Sequence, residues 1–158
     1  MRRLVGALIG GGVAVFGGVS AVGDDSKRDD QGAIVEAGGV GVFALGIGDC
    51  LQLPDAIEVQ SVEGVPCDEP HDAQVYGESA VLGEVWPGEA ELERRSAQEC
   101  LSRWDVGIGT DYDADRFFDF TFFAPTAEGW AAGDRGVQCL LVRIDGVPFV
   151  GDFVRRDG

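Results

Sequence analysis

Behind Arg2 and Arg3, an uncharged run extends from Leu4 to Val22. As a helix it is long enough to cross a hydrocarbon core of about 30 Å. Basic residues hold to the cytoplasmic side, so the run predicts an N-terminus inside the cell and a C-terminus outside. Glycines at positions 6, 10, 11, 12, 17 and 18 thin its apolar character. A buried soluble helix carrying them would lose about 1 kcal/mol at each relative to alanine. Val19-Ser20-Ala21 supplies the small residues of a signal-peptide cut, yet the apolar run reaches that site with no polar approach, which favours an uncleaved anchor. Residues 1–22 are read as a membrane anchor or a signal peptide. The first makes a single-pass cell-membrane protein held by an N-terminal helix, the second a secreted one.

The pattern changes at Gly23. Asp24 to Gln31 is polar and offers nothing to bury, and the patch that follows is rich in glycine and interrupted by Glu36. Residues 23–42 are expected to form a stalk. Residues 43–158 then make one extracytoplasmic domain, with a first strand between Val42 and Cys50. Alternation predicts a strand over Ile57 to Glu63 and another over Ala73 to Leu82, paired antiparallel across a turn at Asp68 to Asp72. Glu89 to Trp104 is a helix: Glu89, Glu91 and Glu93 suit the positive end of the helix dipole, and Leu92, Ala97, Cys100, Leu101 and Trp104 recur on one face. Arg116 to Phe123 is a central strand with Phe118, Phe120 and Phe122 on one side and Phe117 and Phe123 on the other. Pro125 to Ala132 is a helical turn closed by Gly133, Gly136 to Ile144 a strand carrying Cys139, and the tail through Phe149 an added edge strand. The expected class is α+β: an antiparallel sheet of four to five strands, one main helix packed on a face, and two disulfides.

Charge narrows the partners. The 28 acidic and 12 basic side chains give a net charge of −16, and four of each precede residue 33, so the whole excess belongs to the folded part, which has no lysine. So acidic a surface repels phosphate backbones, which excludes nucleic acid as a partner and makes anionic lipid a poor docking surface.

Four separate blocks resemble a known family. Gly48-Asp49-Cys50, the run Val65-Pro66-Cys67-Asp68-Glu69-Pro70-His71-Asp72-Ala73-Gln74-Val75-Tyr76, the helical Cys100, and Trp130 with Gly133-Asp134-Arg135, Val137 and Cys139-Leu140-Leu141 stand in the order of the septum-formation domain. That domain occurs in exported or membrane-anchored actinobacterial proteins. The resemblance covers about residues 43 to 144 and implies a link to cell division or envelope growth, with envelope or division proteins as partners. It implies no defined chemistry.

An even cysteine count behind an export segment points to a compartment where disulfides persist. Cys50, Cys67, Cys100 and Cys139 allow three connectivities, and adjacency in the expected topology favours Cys50 with Cys67 and Cys100 with Cys139. By loop entropy, each closure contributes about 3 to 4 kcal/mol. Zinc is the rival reading of Cys67 and His71, but the CxxC spacings of structural sites are absent and His71 is the only histidine. Neither metal nor cofactor is predicted. His71 followed by Asp72 invites a catalytic reading, yet no serine or free thiol stands out as a nucleophile, and a Pro-His-Asp turn more simply fixes a loop. Asp111, Asp113, Asp115 and Asp119 begin a calcium-loop spacing that fails at Arg116 and Phe122. Arg135 is expected to pair with a carboxylate such as Asp49. Trp104 and Trp130 belong to the core, and Trp86, before Pro87, is the candidate for partner contact. The function expected is non-enzymatic binding or scaffolding at the envelope through His71, Asp72, Asp49, Arg135 and Trp86. The alternative is a ligand-sensing or hydrolytic ectodomain with a pocket near His71 and Arg135.

Overall fold

The computed structural model describes residues 24–56 and 58–156, together with the backbone of residues 5–9. The rest of the N-terminal run, on which the anchor expectation falls, lies outside the described residues. Residues 5–9 form strand β1 (Val5–Ile9) where a helix was expected. No helix among the described residues is long and apolar enough to cross a membrane. Val5, Leu8 and Ile9 suit extended backbone, and pairing along the edge of a neighbouring strand satisfies peptide groups that would otherwise stay open.

The stretch expected as a stalk instead packs onto the domain. β2 (Lys27–Arg28) and β3 (Ile34–Glu36) form a hairpin, and β4 (Gly38–Gly41) joins the main sheet. The polar residues of this stretch bury little, but Ile34, Val40 and Val42 are buried, and that apolar area is enough to hold the segment down. The first expected strand splits, with Val42–Ala44 a 3-10 turn and β5 (Cys50–Gln52) the strand. The next is broken at Gln60 into β6 (Glu58–Val59) and β7 (Ser61–Val65). Then come β8 (Ala73–Ala80), α1 (Glu89–Gly107), β9 (Phe118–Pro125), the short α2 (Ala127–Ala131) and β10 (Gly136–Arg143).

The α+β architecture holds, with a wider sheet than expected. Six strands run antiparallel in the order β4, β7, β5, β8, β10, β9, and β1 and β6 extend it with parallel pairing. The expected direct pairing of β7 with β8 does not occur, because β5 lies between them and bonds both. Three-residue β5 is too short for its alternation to stand out in the sequence. Only Gln60 separates β6 from β7, yet the two pair at opposite ends of the strand order. The sheet must therefore curl until its ends meet, as in a small barrel.

The curl gives two cores. Leu51, Val59, Val62, Ala73, Val75, Phe123 and Leu140, with Ile34, Val40, Val42 and Leu45, fill its inside. On its outer face Tyr76, Phe120, Phe122, Cys139 and Leu141 meet Leu92, Cys100 and Trp104 of α1. The phenylalanine strand divides as its alternation predicts, although Phe117 stays 71% exposed. Leu101, expected on the buried face of α1, is exposed, and Ser96 is buried there instead. Gly107 lets α1 approach β8 closely, because a Cβ there would run into the Tyr76 carbonyl. Burial pushes the Tyr76 phenol well above its ordinary value, so it stays protonated and donates to the Cys100 carbonyl at 2.8 Å.

Candidate functional site

The first disulfide organises one end of the molecule. Cys50 and Cys67 are bonded, as are Cys100 and Cys139, the connectivity that adjacency favoured. Gly48 precedes β5 with φ +98°, a conformation that side chains rarely adopt, and its carbonyl accepts from Gln74 Nε2 at 3.2 Å and Arg156 Nη2 at 3.4 Å. Asp49 is buried. It accepts both forks of Arg28, at 2.7 and 2.8 Å, and the Gly46 amide at 2.9 Å. That bidentate bond holds the Arg28 guanidinium above its usual value. The expected pairing of Asp49 with Arg135 is therefore wrong: Arg28, from the supposed stalk, takes the place.

The turn from Pro66 to Asp72 carries Cys67 and leads into β8. His71 is fully buried, with Nδ1 2.8 Å from the Glu69 carbonyl and its ring edge-on to Phe149 at 4.3 Å. Since a carbonyl only accepts, Nδ1 carries the proton. Nε2 is buried with no hydrogen-bond partner. Burial pushes the imidazole below its ordinary value, against the opposite pull of the Glu69 carbonyl, Asp72 and Asp152. Asp72 caps the end of β5 by accepting from the Leu53 amide at 3.0 Å. The imidazole is thus enclosed, and its one polar bond is to a backbone carbonyl.

The C-terminal tail crosses this turn as a strap. Phe149 and His71 exchange backbone bonds at 2.8 and 2.9 Å, and the Gly151 amide donates to the Cys67 carbonyl at 2.7 Å. The amide of buried Gln74 donates to Asp152 at 2.7 Å and accepts from the Phe153 amide at 3.0 Å. Arg155 N donates to the Gly107 carbonyl at 2.7 Å, and Arg156 pairs with Asp152 at 2.8 Å. The expected edge strand is thus reduced to the single bridge at Phe149. Beside the disulfide a cleft of about 450 Å³ remains, with Ile34, Val35, Val65 and Pro66 along its walls and Asp68, Glu69, Asp152 and Arg156 among its polar residues. Gln74, Arg28, Asp152 and Arg156 were not singled out by the sequence. A glutamine inside the apolar run at Ala73 to Tyr76 was the one available signal.

Arg135 and Trp86 lie elsewhere. Val142 pairs with Ala73 and Gly136 with Ala80, so His71 and Arg135 flank opposite ends of the ladder, separated by the length of β8, roughly 24 Å. Neither the cleft beside Cys50 and Cys67 nor the one lined by Tyr76, Arg103 and Arg155 is lined by either residue. Arg135 stacks over Trp130, with its guanidinium carbon 3.7 Å from the ring centroid, and bonds the Gly83 and Trp130 carbonyls. Trp86 is half-buried, edge-on to Trp130 at 5.8 Å, and follows exposed Leu82 and Val85 in the chain. The aspartates of the calcium-like spacing serve the backbone: Asp111 accepts from Asp113 N, Asp115 from Phe117 N and Phe118 N, and Asp119 from the Tyr112 hydroxyl and its neighbour Phe120 N. Among the described residues no group of three or more ligating side chains is placed to hold a metal ion.

No curated protein and no solved structure matches the chain. A family described as septum formation matches residues 47–154, from just before Gly48 through the strap. With both disulfides, the Gly48 turn and the His71 turn inside that span, the chain belongs to the septum-formation family.

Proposed function

We propose that this protein is an exported, non-enzymatic domain that acts by binding at the cell envelope during septum formation. The family match supports the division-related context. Two bonded cysteine pairs support export, because cytosolic reductants work against such bonds. The observation that carries the non-enzymatic reading is the burial of His71. The only imidazole in the chain is enclosed, neutral and committed to a backbone carbonyl. The exposed Leu82 and Val85, just ahead of Trp86 in the chain, are the surface assigned to an envelope partner.

Cross-linking in dividing cells tests the reading. A photoreactive residue at position 82 or 85 should capture one discrete envelope or division protein, and a reporter fused after residue 158 should be active only outside the cytoplasm. A cytoplasmic reporter signal overturns the export reading. Capture that is unaffected by Trp86→Ala overturns the assignment of the surface.

A further inference from the structure

The two disulfides sit in different surroundings. Cys100 and Cys139 are both fully buried between α1 and β10. Cys50 is buried too, but Cys67 is only partly buried, and both line the cleft of about 450 Å³. Carboxylates dominate that opening. Asp68 and Glu69 are exposed beside Cys67, and Arg156, the cation lining the cleft, is held by Asp152.

We propose that Cys50–Cys67 is the redox-addressable site of this domain: a neutral or cationic dithiol reaches Cys67 through the cleft, opens this bridge while Cys100–Cys139 stays closed, and so loosens the C-terminal strap at Phe149 and Gly151. The dithiol's thiolate attacks Cys67 Sγ and forms a mixed disulfide. The Cys50–Cys67 bond breaks, and Cys50 leaves as a thiolate that takes up the proton lost by the second thiol. That second sulfur then attacks its own partner sulfur in the mixed disulfide and expels Cys67, which is protonated in turn. The dithiol gives up two electrons and two protons and becomes a disulfide, and the protein gains both as two thiols.

The loosening follows from connectivity. Cys50 remains opposite Val65 in the ladder of β5 with β7, so the sheet survives. Cys67 lies beyond the last paired residue, in the turn whose Cys67 carbonyl and His71 hold Gly151 and Phe149. Freeing one end of that turn loosens both anchors. The carboxylates set the substrate class, because an anionic thiol meets like charge at the opening.

The full chain, purified in oxidised form, is treated with dithiothreitol, quenched by alkylation and mapped by mass spectrometry. Cys50 and Cys67 are expected to label at least about tenfold faster than Cys100 and Cys139. Hydrogen-exchange protection at the Phe149 and Gly151 amides should fall in step. Cysteamine, a cationic thiol, should outpace anionic glutathione, with the gap closing in high salt. Equal labelling of the two pairs, earlier labelling of Cys100 and Cys139, or retained protection at Phe149 and Gly151 after Cys50 and Cys67 are reduced overturns the proposal. Glutathione matching cysteamine at low salt overturns its substrate class.

Discussion

At His71 a polar ring has been placed where its charged form is unwelcome. Burial holds the imidazole below the ordinary histidine value of about 6.5, so on acidification the unfolded chain takes up a proton before the native state does. Stability is then unaffected well above about pH 6.5 and falls as the pH drops through that value toward the lower native one. Melting temperatures should decline over that range, and the decline should flatten in His71→Asn, which keeps a donor for the Glu69 carbonyl. Arg28 and Asp49 make the second prediction at this scale. With Asp49 buried and the arginine side chain 26% exposed, Arg28→Ala strands a carboxylate and should cost about 2 to 3 kcal/mol in denaturant unfolding. The sequence marked Asp49 but not its partner. A pair separated by 21 residues, one of them in a polar stretch without pattern, leaves no periodicity to read.

Among the elements, α1 was the most legible, because a helix announces itself through a spacing that needs no partner. Its acidic start is stabilised locally: Glu91 pairs with Arg94 and Arg95, which bring its carboxyl down to about 2. The C-terminal extension to Gly107 was missed, since a glycine reads as a stop signal and here serves contact with Tyr76. Gly107→Ala should raise helix propensity and still destabilise the domain by about 1 to 3 kcal/mol, because the added methyl forces α1 away from β8. Urea midpoints for the two chains would register the sign. Strand order was less legible than strand existence. β5 holds the central position between β7 and β8 with three residues, and pairing partners depend on backbone groups that every residue shares.

The whole molecule is held by closures that a linear reading does not reveal. β6 and β7 join the two ends of the curled sheet, the strap ties the last residues to Gln74, His71 and Gly107, and the supposed stalk contributes Ile34, Val40 and Val42 to the inner core. The strap's aromatic residues were visible as an apolar tail. Its destination was not, because Asp152 and Gly151 meet positions some eighty residues earlier. The acidic excess was legible at once, and it now has a local expression at the cleft, where carboxylates stand beside Cys67.

The hairpin and strand ahead of residue 47 place the border of the recognisable segment inside the cooperative unit. A chain trimmed to residues 47–154 would lose four residues of the inner core, Ile34, Val40, Val42 and Leu45, leave Asp49 without a counter-ion, and uncover the flank of β7 that β4 now occupies. It should give a broad, low melting transition and oligomers on size-exclusion chromatography, where the full chain stays monodisperse. What evolution keeps recognisable and what physics needs for folding begin at different residues in this protein.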